Sequence, residues 1–222
     1  MAGQATGGAY YTNPRPEVQN LIPLTATTIL DIGCGAGVLG ESIKMRQPCK
    51  VIGIEIVPEA AEQAKKKLDS VLVGTVEQHL PTLERAYFDC IVMADVLEHL
   101  ADPYTLLRNL KVLLSLTGCA IISLPNVRHW AVVKNLLEGR FDYKDEGIMD
   151  RTHLRFFTMS SAVAMINGAG YDVDQIHAVV YQGHRFPVGL DKMLSQYGIN
   201  AATLAQDSQV FQYLFVAKPR PT

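Results

Sequence analysis

Three features of the sequence predict an α/β fold with a doubly wound, mostly parallel sheet. From Thr28 onward, short apolar runs alternate with segments of helical period, the pattern of βα units. The first run passes directly into the glycine-rich turn Gly33-Cys34-Gly35-Ala36-Gly37. Near the end, residues 171–181 and 209–217 alternate like a final pair of strands, which gives seven strands with one antiparallel member.

Each element has its own signal. Thr28–Ile32 is the first strand, and residues 37–46 form a helix that stops before Pro48. Lys50–Glu55 is the second strand. Pro58 opens a helix over 58–68, with Ala60, Ala61, Ala64 and Leu68 on one face. Ser70–Val73 is a short third strand, followed by a weak helix after Pro81. Phe88–Ala94 is the fourth strand. Asp102 then caps a helix that starts at Pro103 and carries Leu106, Leu107, Leu110, Leu113 and Leu114 in one stripe. Residues 118–124 make the fifth strand, closed by Pro125-Asn126. Between 126 and 157 the βα pattern breaks off, and the segment reads as a helical lid insertion over the carboxyl ends of the strands. A helix over 158–168, the two terminal strands and an intervening loop, 182–207, complete the chain. One domain is expected, with 1–27 as an N-terminal lid segment, 28–125 as cofactor-binding core, 126–157 as substrate lid and 158–217 as the closing helix and strands.

Composition narrows the partner. With 222 residues the chain can bury about 70% of its unfolded surface. Its 20 Lys+Arg against 22 Asp+Glu give a net charge of −2, which offers no basic footprint for nucleic acid or an anionic membrane. The expected partner is therefore a small molecule, and the assembly a monomer or homodimer. No apolar run approaches the ~18 residues of a membrane span, and residues 1–12 lack the basic and apolar regions of a signal peptide, so the chain reads as cytoplasmic. Cys34, Cys49, Cys90 and Cys119 fall in or beside strands, with no CxxC spacing, and read as buried free thiols. Lys65-Lys66-Lys67 reads as a solvated helix face. The charges are nevertheless uneven: 126–157 holds 11 of the 42, about one residue in three, so the lid is expected to favour a polar, possibly anionic acceptor.

The loop after the first strand carries the chemistry. Its glycines allow a sharp exit from the strand and bring peptide N–H groups close to a ligand at a helix N-terminus. Gly35-x-Gly37-x-x-Gly40, with Glu55 twenty residues after Gly35, formally satisfies a dinucleotide fingerprint. The register that starts at Gly33, the glycine next to the strand, fails it at Val38, and no Tyr-x-x-x-Lys pair supports hydride transfer. The full segment Ile29-Leu30-Asp31-Ile32-Gly33-Cys34-Gly35-Ala36-Gly37 instead resembles motif I of the class I S-adenosylmethionine-dependent methyltransferases. Residues 51–56, 88–100 and 113–125 are similar to that family's second-, fourth- and fifth-strand motifs.

The resemblance implies a Rossmann-like fold and S-adenosyl-L-methionine as cofactor. It also implies cofactor contacts from Tyr11, Asp31, Gly33, Cys34, Gly35, Gly37, Glu55, Ile56, Thr75, Val76, Ala94 and Asp95. The physical reading agrees, since a carboxylate such as Glu55 accepts from two vicinal ribose hydroxyls, while N–H groups at a helix start receive a carboxylate. Thr75 stands where an Asp is common in relatives. Tyr10-Tyr11 and Arg15 precede the first strand, where N-terminal segments of this superfamily fold over the cofactor.

On the acceptor side, Ser123-Leu124-Pro125-Asn126-Val127, residues 139–143 and residues 148–158 resemble a bacterial subgroup associated with cell-surface polysaccharide and O-antigen gene clusters. That implies O-methylation of a hydroxyl on a sugar or related polar metabolite. A small aromatic or polyketide-type acceptor, N-methylation of an amino sugar and a non-catalytic regulatory role are the alternatives. In-line methyl transfer to a hydroxyl calls for a proton acceptor. His153, oriented by Asp150 or Asp142, and His99 are the candidates, against a bland reading in which they only anchor the lid. Tyr10, Asn126, Trp130, Arg151 and Arg155 are candidate acceptor contacts, with Arg128 and Arg140 available to an anion. Asp95 and Glu98 raise a magnesium site, but no third oxygen ligand is spaced to complete one, so no metal is expected.

Overall fold

The computed structural model describes residues 13–181, 186–187 and 189–221. Seven strands form one sheet in the order β3-β2-β1-β4-β5-β7-β6. β1 (Thr28–Ile32), β2 (Lys50–Glu55), β3 (Ser70–Val73), β4 (Phe88–Ala94) and β5 (Leu114–Pro125) pair in parallel. β7 (Val210–Pro219) runs antiparallel to both β5 and β6 (Tyr171–Val180), as the sequence predicts.

The central strands read as near-continuous apolar runs because both faces of the sheet are covered. Ile29 and Leu30, adjacent in β1, enter opposite cores. One core packs Leu30, Ile32, Ile91 and Met93 against Leu106, Leu107 and Leu110 of α5 (Pro103–Leu110) and Met165 and Ile166 of α7 (Met159–Gly168). The other packs Ile29, Val51 and Val92 against Leu39 and Ile43 of α2 (Val38–Arg46) and against Val18 of α1 (Pro16–Gln19). The predicted cap holds, since Asp102 accepts from the Thr105 N–H at 3.0 Å; Thr158, read as the first residue of a helix, is instead the N-cap of α7.

Several boundaries differ from the sequence reading. The leucine stripe continues past α5, but the helix ends at Leu110. Lys111–Leu113 tightens into a 3₁₀ turn, and Leu114 already opens β5 opposite Phe88. α3 is Pro58–Ala64, and turns carry the chain on to Leu68. Instead of a helix after Pro81, α4 (Val76–His79) starts earlier, where the Thr75 N–H donates to Gln78 Oε1 at 3.0 Å. The segment expected to be a loop between the last strands contains α8 (Leu190–Ser195) and α9 (Ala201–Asp207), the latter capped by Asn200.

The insertion is helical only in part. α6 (Trp130–Leu137) is its one helix among the described residues, and 138–157 is irregular chain closed by a bridge between Lys144 and Asp150. Its two ends meet, since the Val127 N–H donates to Phe157 O at 2.9 Å. Because β4 returns beside β1 while β2 and β3 lie on the other side, the chain reverses direction between β1 and β4. A crevice is expected outside the carboxyl ends of those two strands. No helix among the described residues is long and apolar enough to cross a membrane.

Candidate active site

At the end of β1 the chain turns through Gly33, Gly35 and Gly37, with φ of 72°, 54° and 75°. Gly37 is the N-cap of α2, so the loop presents its peptides at a helix start. A Cβ at Gly33 would stand 2.8 Å from Val96 Cγ2, and one at Gly37 would stand 3.0 Å from Ala64 Cα. Glycine is thus required here by both conformation and space.

Two acids sit beneath this loop. Glu55, at the end of β2, is buried and accepts from the Gly35 N–H at 2.8 Å and from the Val57 N–H at 2.9 Å. Each bond uses a different carboxylate oxygen, which leaves lone pairs on both for further donors. Asp31 is buried, and its Oδ2 has no hydrogen-bond partner. Burial, reinforced by Glu55 and opposed by Arg15, pushes the Asp31 carboxyl up to about 7. An orphaned acid beneath a glycine cradle suits a ligand carrying a positive charge. Ile56 is exposed, Ala94 is half-buried, and Cys34 is buried with its thiol pushed upward by burial. Thr75 and Val76 stand at the start of α4, beyond β3.

Across the crevice, Asp95 follows β4 in a left-handed conformation, φ 57°. Arg15, itself left-handed at φ 48°, pairs with Asp95 Oδ2 and donates to Ser123 Oγ and Gln212 Oε1, each at 3.1 Å. Ser123 Oγ and Gln212 Nε2 both donate to Asp95 Oδ1. Ends of β4, β5 and β7 are therefore tied to the segment before β1. Gln212 had no sequence signal as a site residue, because β7 reaches the site only through its antiparallel return, and Ser123 stood only within the segment 123–127, not among the candidate contacts. Tyr10 and Tyr11 lie outside the described residues.

The turn after β4, Leu97–His99, carries the remaining chemistry. Glu98 is 1% exposed, and neither carboxylate oxygen has a partner. Burial, reinforced by Asp95, holds its carboxyl far above the ordinary carboxylate range. The Glu98 carbonyl accepts from the N–H groups of Leu154 (2.8 Å) and Arg155 (3.0 Å), so the end of the insertion is fastened to this turn. That places His153 against His99, ring centroids 4.7 Å apart and nearly perpendicular.

Two expectations about this pair need correction. His153 is not oriented by Asp150 or Asp142: its Nδ1 lies 3.0 Å from Ile148 O, a pure acceptor, so Nδ1 carries the proton and Nε2 the lone pair. Asp150 acts on the other ring, because Asp150 Oδ1 accepts from Thr152 Oγ1 at 2.6 Å. His99 Nδ1 lies 3.1 Å from that hydroxyl and 3.3 Å from the Thr152 carbonyl. With the Thr152 hydrogen given to Asp150, His99 Nδ1 donates and Nε2 again keeps its lone pair. Burial, then His99, depresses His153 below its ordinary value, which favours the neutral ring.

The candidate acceptor contacts fare unevenly. The Asn126 side chain belongs to the fold: its amide donates to the Asp207 and Val210 carbonyls at 2.8 and 2.9 Å, and its oxygen accepts from the Arg128 N–H. Arg151 pairs with Asp145 on the exposed surface, and Arg155 donates to the Ala101 carbonyl. Arg128 pairs with Asp207, and Arg140 with Glu138. The four arginines of the insertion are thus each already engaged by a carboxylate or a carbonyl. Trp130 is half-buried, edge-on to Phe186. What adjoins His153 is a set of rings that lie in the segments 139–143 and 148–158 but were not among the candidate contacts, Phe141, Tyr143 and Phe156, with centroids 5.5–6.5 Å apart.

The glycine cradle, the paired acids and the β1/β4 crevice coincide with a family match: residues 11–176 fit the methyltransferase domain family. The chain belongs to that family. It carries an S-adenosylmethionine-dependent methyltransferase domain. This domain is 28% identical over 175 residues to the ubiquinone biosynthesis O-methyltransferase of Azorhizobium caulinodans, covering 74% of this chain and 66% of that protein. It is 31% identical over 139 residues to the protein of that name from Histophilus somni, covering 54% and 58%. The matched region therefore spans less than two thirds of the length of each of these two relatives, 66% and 58%. Its fold is similar to that of a SAM-dependent methyltransferase from Archaeoglobus fulgidus, with a TM-score of 0.66, 16% identity, and coverage of 93% and 94%.

Proposed function

We propose that this protein transfers a methyl group from S-adenosylmethionine to a hydroxyl on a small acceptor that carries an aromatic ring. When bound, the cofactor supplies an electrophilic methyl on a sulfonium. Every other contribution is positional or acid–base and comes from the chain. Asp31, Gly33, Gly35 and Gly37 would hold the methionine end, and Glu55 the ribose hydroxyls. Asp95, fixed by Arg15, Ser123 and Gln212, shapes the boundary between cofactor and acceptor.

The observation that carries the reading is the His99–His153 pair after β4. Two imidazoles with free Nε2 lone pairs, beside a dry carboxyl, stand where an acceptor hydroxyl must shed its proton. The adjoining wall of Phe141, Tyr143 and Phe156 suits an aromatic acceptor, as do the names of the relatives at 28–31% identity. In this role 126–157 is a substrate lid whose far end closes on the β4 turn. A sugar hydroxyl of the polysaccharide type is the second reading. It is favoured by the same rings, since aromatic faces also cover the apolar face of a pyranose.

The test is methyl transfer from labelled S-adenosylmethionine to a panel of ortho-dihydroxylated aromatics, polyketide phenols and nucleotide sugars. Turnover on the phenols, lost in His153→Ala while adenosylhomocysteine still binds by calorimetry, is the expected result. Turnover confined to sugars would overturn the acceptor assignment. Near-wild-type turnover by His153→Ala would remove the histidine pair from the chemistry.

A further inference from the structure

The Glu98 carboxylate is the least satisfied group among the described residues. Both its oxygens are buried without a partner, whereas in Asp31 this holds for Oδ2 alone. A buried carboxylate in this state calls for either a proton or a cation. The groups facing it are His99 and His153, and one donor atom from each of the three residues lies within 4.8 Å of the others.

The far nitrogens of both rings are held in the way that prepares histidines for a metal. A ligating imidazole gives its other N–H to a carbonyl or carboxylate, which fixes the tautomer and aims the remaining lone pair. His153 does this through Ile148 O, and His99 through Thr152, which Asp150 holds in turn. Asp95, the other acid nearby, is already bound by Arg15, Ser123 and Gln212 and is not part of the set.

We infer that Glu98, His99 and His153 form a divalent transition-metal site that joins the turn after β4 to the end of the insertion. Two nitrogens and one carboxylate suit Zn²⁺ or a neighbouring first-row ion and poorly suit Mg²⁺ or Ca²⁺, which prefer oxygen ligands. Three protein ligands leave at least one position open for an acceptor oxygen. The inference rests on the proposed reaction and revises one part of it: with the ion bound, the imidazoles act as ligands, a hydroxyl at the open position is acidified, and its proton leaves to solvent instead of to Nε2. Assembly of the site requires the insertion to be docked, since His153 arrives with the backbone bonds from Leu154 and Arg155 to Glu98.

The experiment is a metal titration of the chelator-treated full chain, with Zn²⁺ measured by competition and Co²⁺ by its visible spectrum. Adenosylhomocysteine calorimetry is run on the same metal-free sample. The expected result is one equivalent of Zn²⁺ per chain, unaffected by millimolar Mg²⁺. Affinity should fall about tenfold or more in Glu98→Gln and in His153→Gln, and a smaller loss is expected in Thr152→Val. X-ray absorption on the wild-type zinc form should show nitrogen and oxygen neighbours, a readout that needs no variant to fold. Substoichiometric binding, affinity equal in wild type and Glu98→Gln, or sulfur ligation by a cysteine would each overturn the site. If adenosylhomocysteine binds while metal does not, only this inference falls. If adenosylhomocysteine does not bind, the methyltransferase reading falls instead.

Discussion

Gly33→Ala tests whether the loop after β1 is held in the shape described. The substitution adds one methyl group at a residue with φ of 72°. Left-handed backbone costs an alanine about 1–2 kcal/mol, and no neighbour can relieve that cost. The new Cβ would also lie 2.8 Å from Val96 Cγ2, well inside the ~3.5–4.0 Å optimum for two carbons, and overpacking of this kind costs about 1–3 kcal/mol. Val96 is only half-buried, so its side chain can give way and the lower part of that range applies. The total is about 2–4 kcal/mol. For a chain of this size that lowers Tm by roughly 5–15 °C. A double-mutant cycle separates the two causes: Val96→Ala in the Gly33→Ala background should recover about 1 kcal/mol of coupling and leave the backbone cost in place. Urea denaturation gives the stabilities, and calorimetry with adenosylhomocysteine gives the consequence for the cradle. Gly33→Ala within ~0.5 kcal/mol of wild type would refute the left-handed turn, and full rescue by Val96→Ala would refute the backbone share.

Asp31 makes stability depend on pH with an unusual sign. Its folded pKa, about 7, lies above the ordinary 3.8, so between roughly pH 4 and 7 the folded chain keeps a proton that the unfolded chain releases. Stability from this residue is therefore present at low pH and lost as pH rises through 7, by a few kcal/mol at most. Asp31→Asn should gain on wild type in urea denaturation at pH 7.5 and lose that advantage at pH 4.5; a constant difference would contradict the burial of this acid. Glu55→Gln weakens the bonds from Gly35 and Val57 and the acid offered to the ribose, so adenosylhomocysteine affinity should drop about 10–100-fold by calorimetry, and an unchanged value would exclude Glu55 from the cofactor site. Asn126→Ala leaves two buried carbonyls unpaired and should cost about 2–4 kcal/mol in denaturation, with KM for the acceptor unchanged in the surviving folded fraction; a raised KM with stability intact would restore it as an acceptor contact.

The sheet was legible because its signals are local. Near-continuous apolar runs in β1, β4 and β5, prolines at helix starts and the Asp102 cap all act within a few residues. Errors arose where tertiary pairing outweighed local pattern. Leu113 and Leu114 continue the stripe of α5, yet Leu114 pairs with Phe88 in the sheet. The segment 182–207 carries polar and glycine signals typical of loops, although α9 ends at Asp207, whose carboxylate anchors Arg128 and the Tyr213 hydroxyl.

The site divides along the same line. The half proposed for the cofactor, Asp31 through Gly37 and Glu55, lies within 25 residues, and parallel pairing of β1 with β2 is enough to bring it together. The half proposed for the acceptor joins Glu98 and His99 to His153, and Asp95 to Arg15 and Gln212, across separations of 54 to 117 residues. A search for a third oxygen ligand near Asp95 and Glu98 could not succeed, because the missing donor is a nitrogen delivered by the insertion. The count of charges in the insertion misled for a related reason. Eleven charges in 126–157 suggested a lid that offers cations to an anion, whereas Arg128, Arg140 and Arg151 each already hold a carboxylate. Formal charge can be counted in a sequence, but whether an arginine is free to bind depends on its neighbours in space. Among the described residues, the buried carboxylate oxygens without a partner are those of Asp31 and Glu98. On that ground the site is shaped for two positive partners, a sulfonium cofactor over the first acid and a metal ion beside the second.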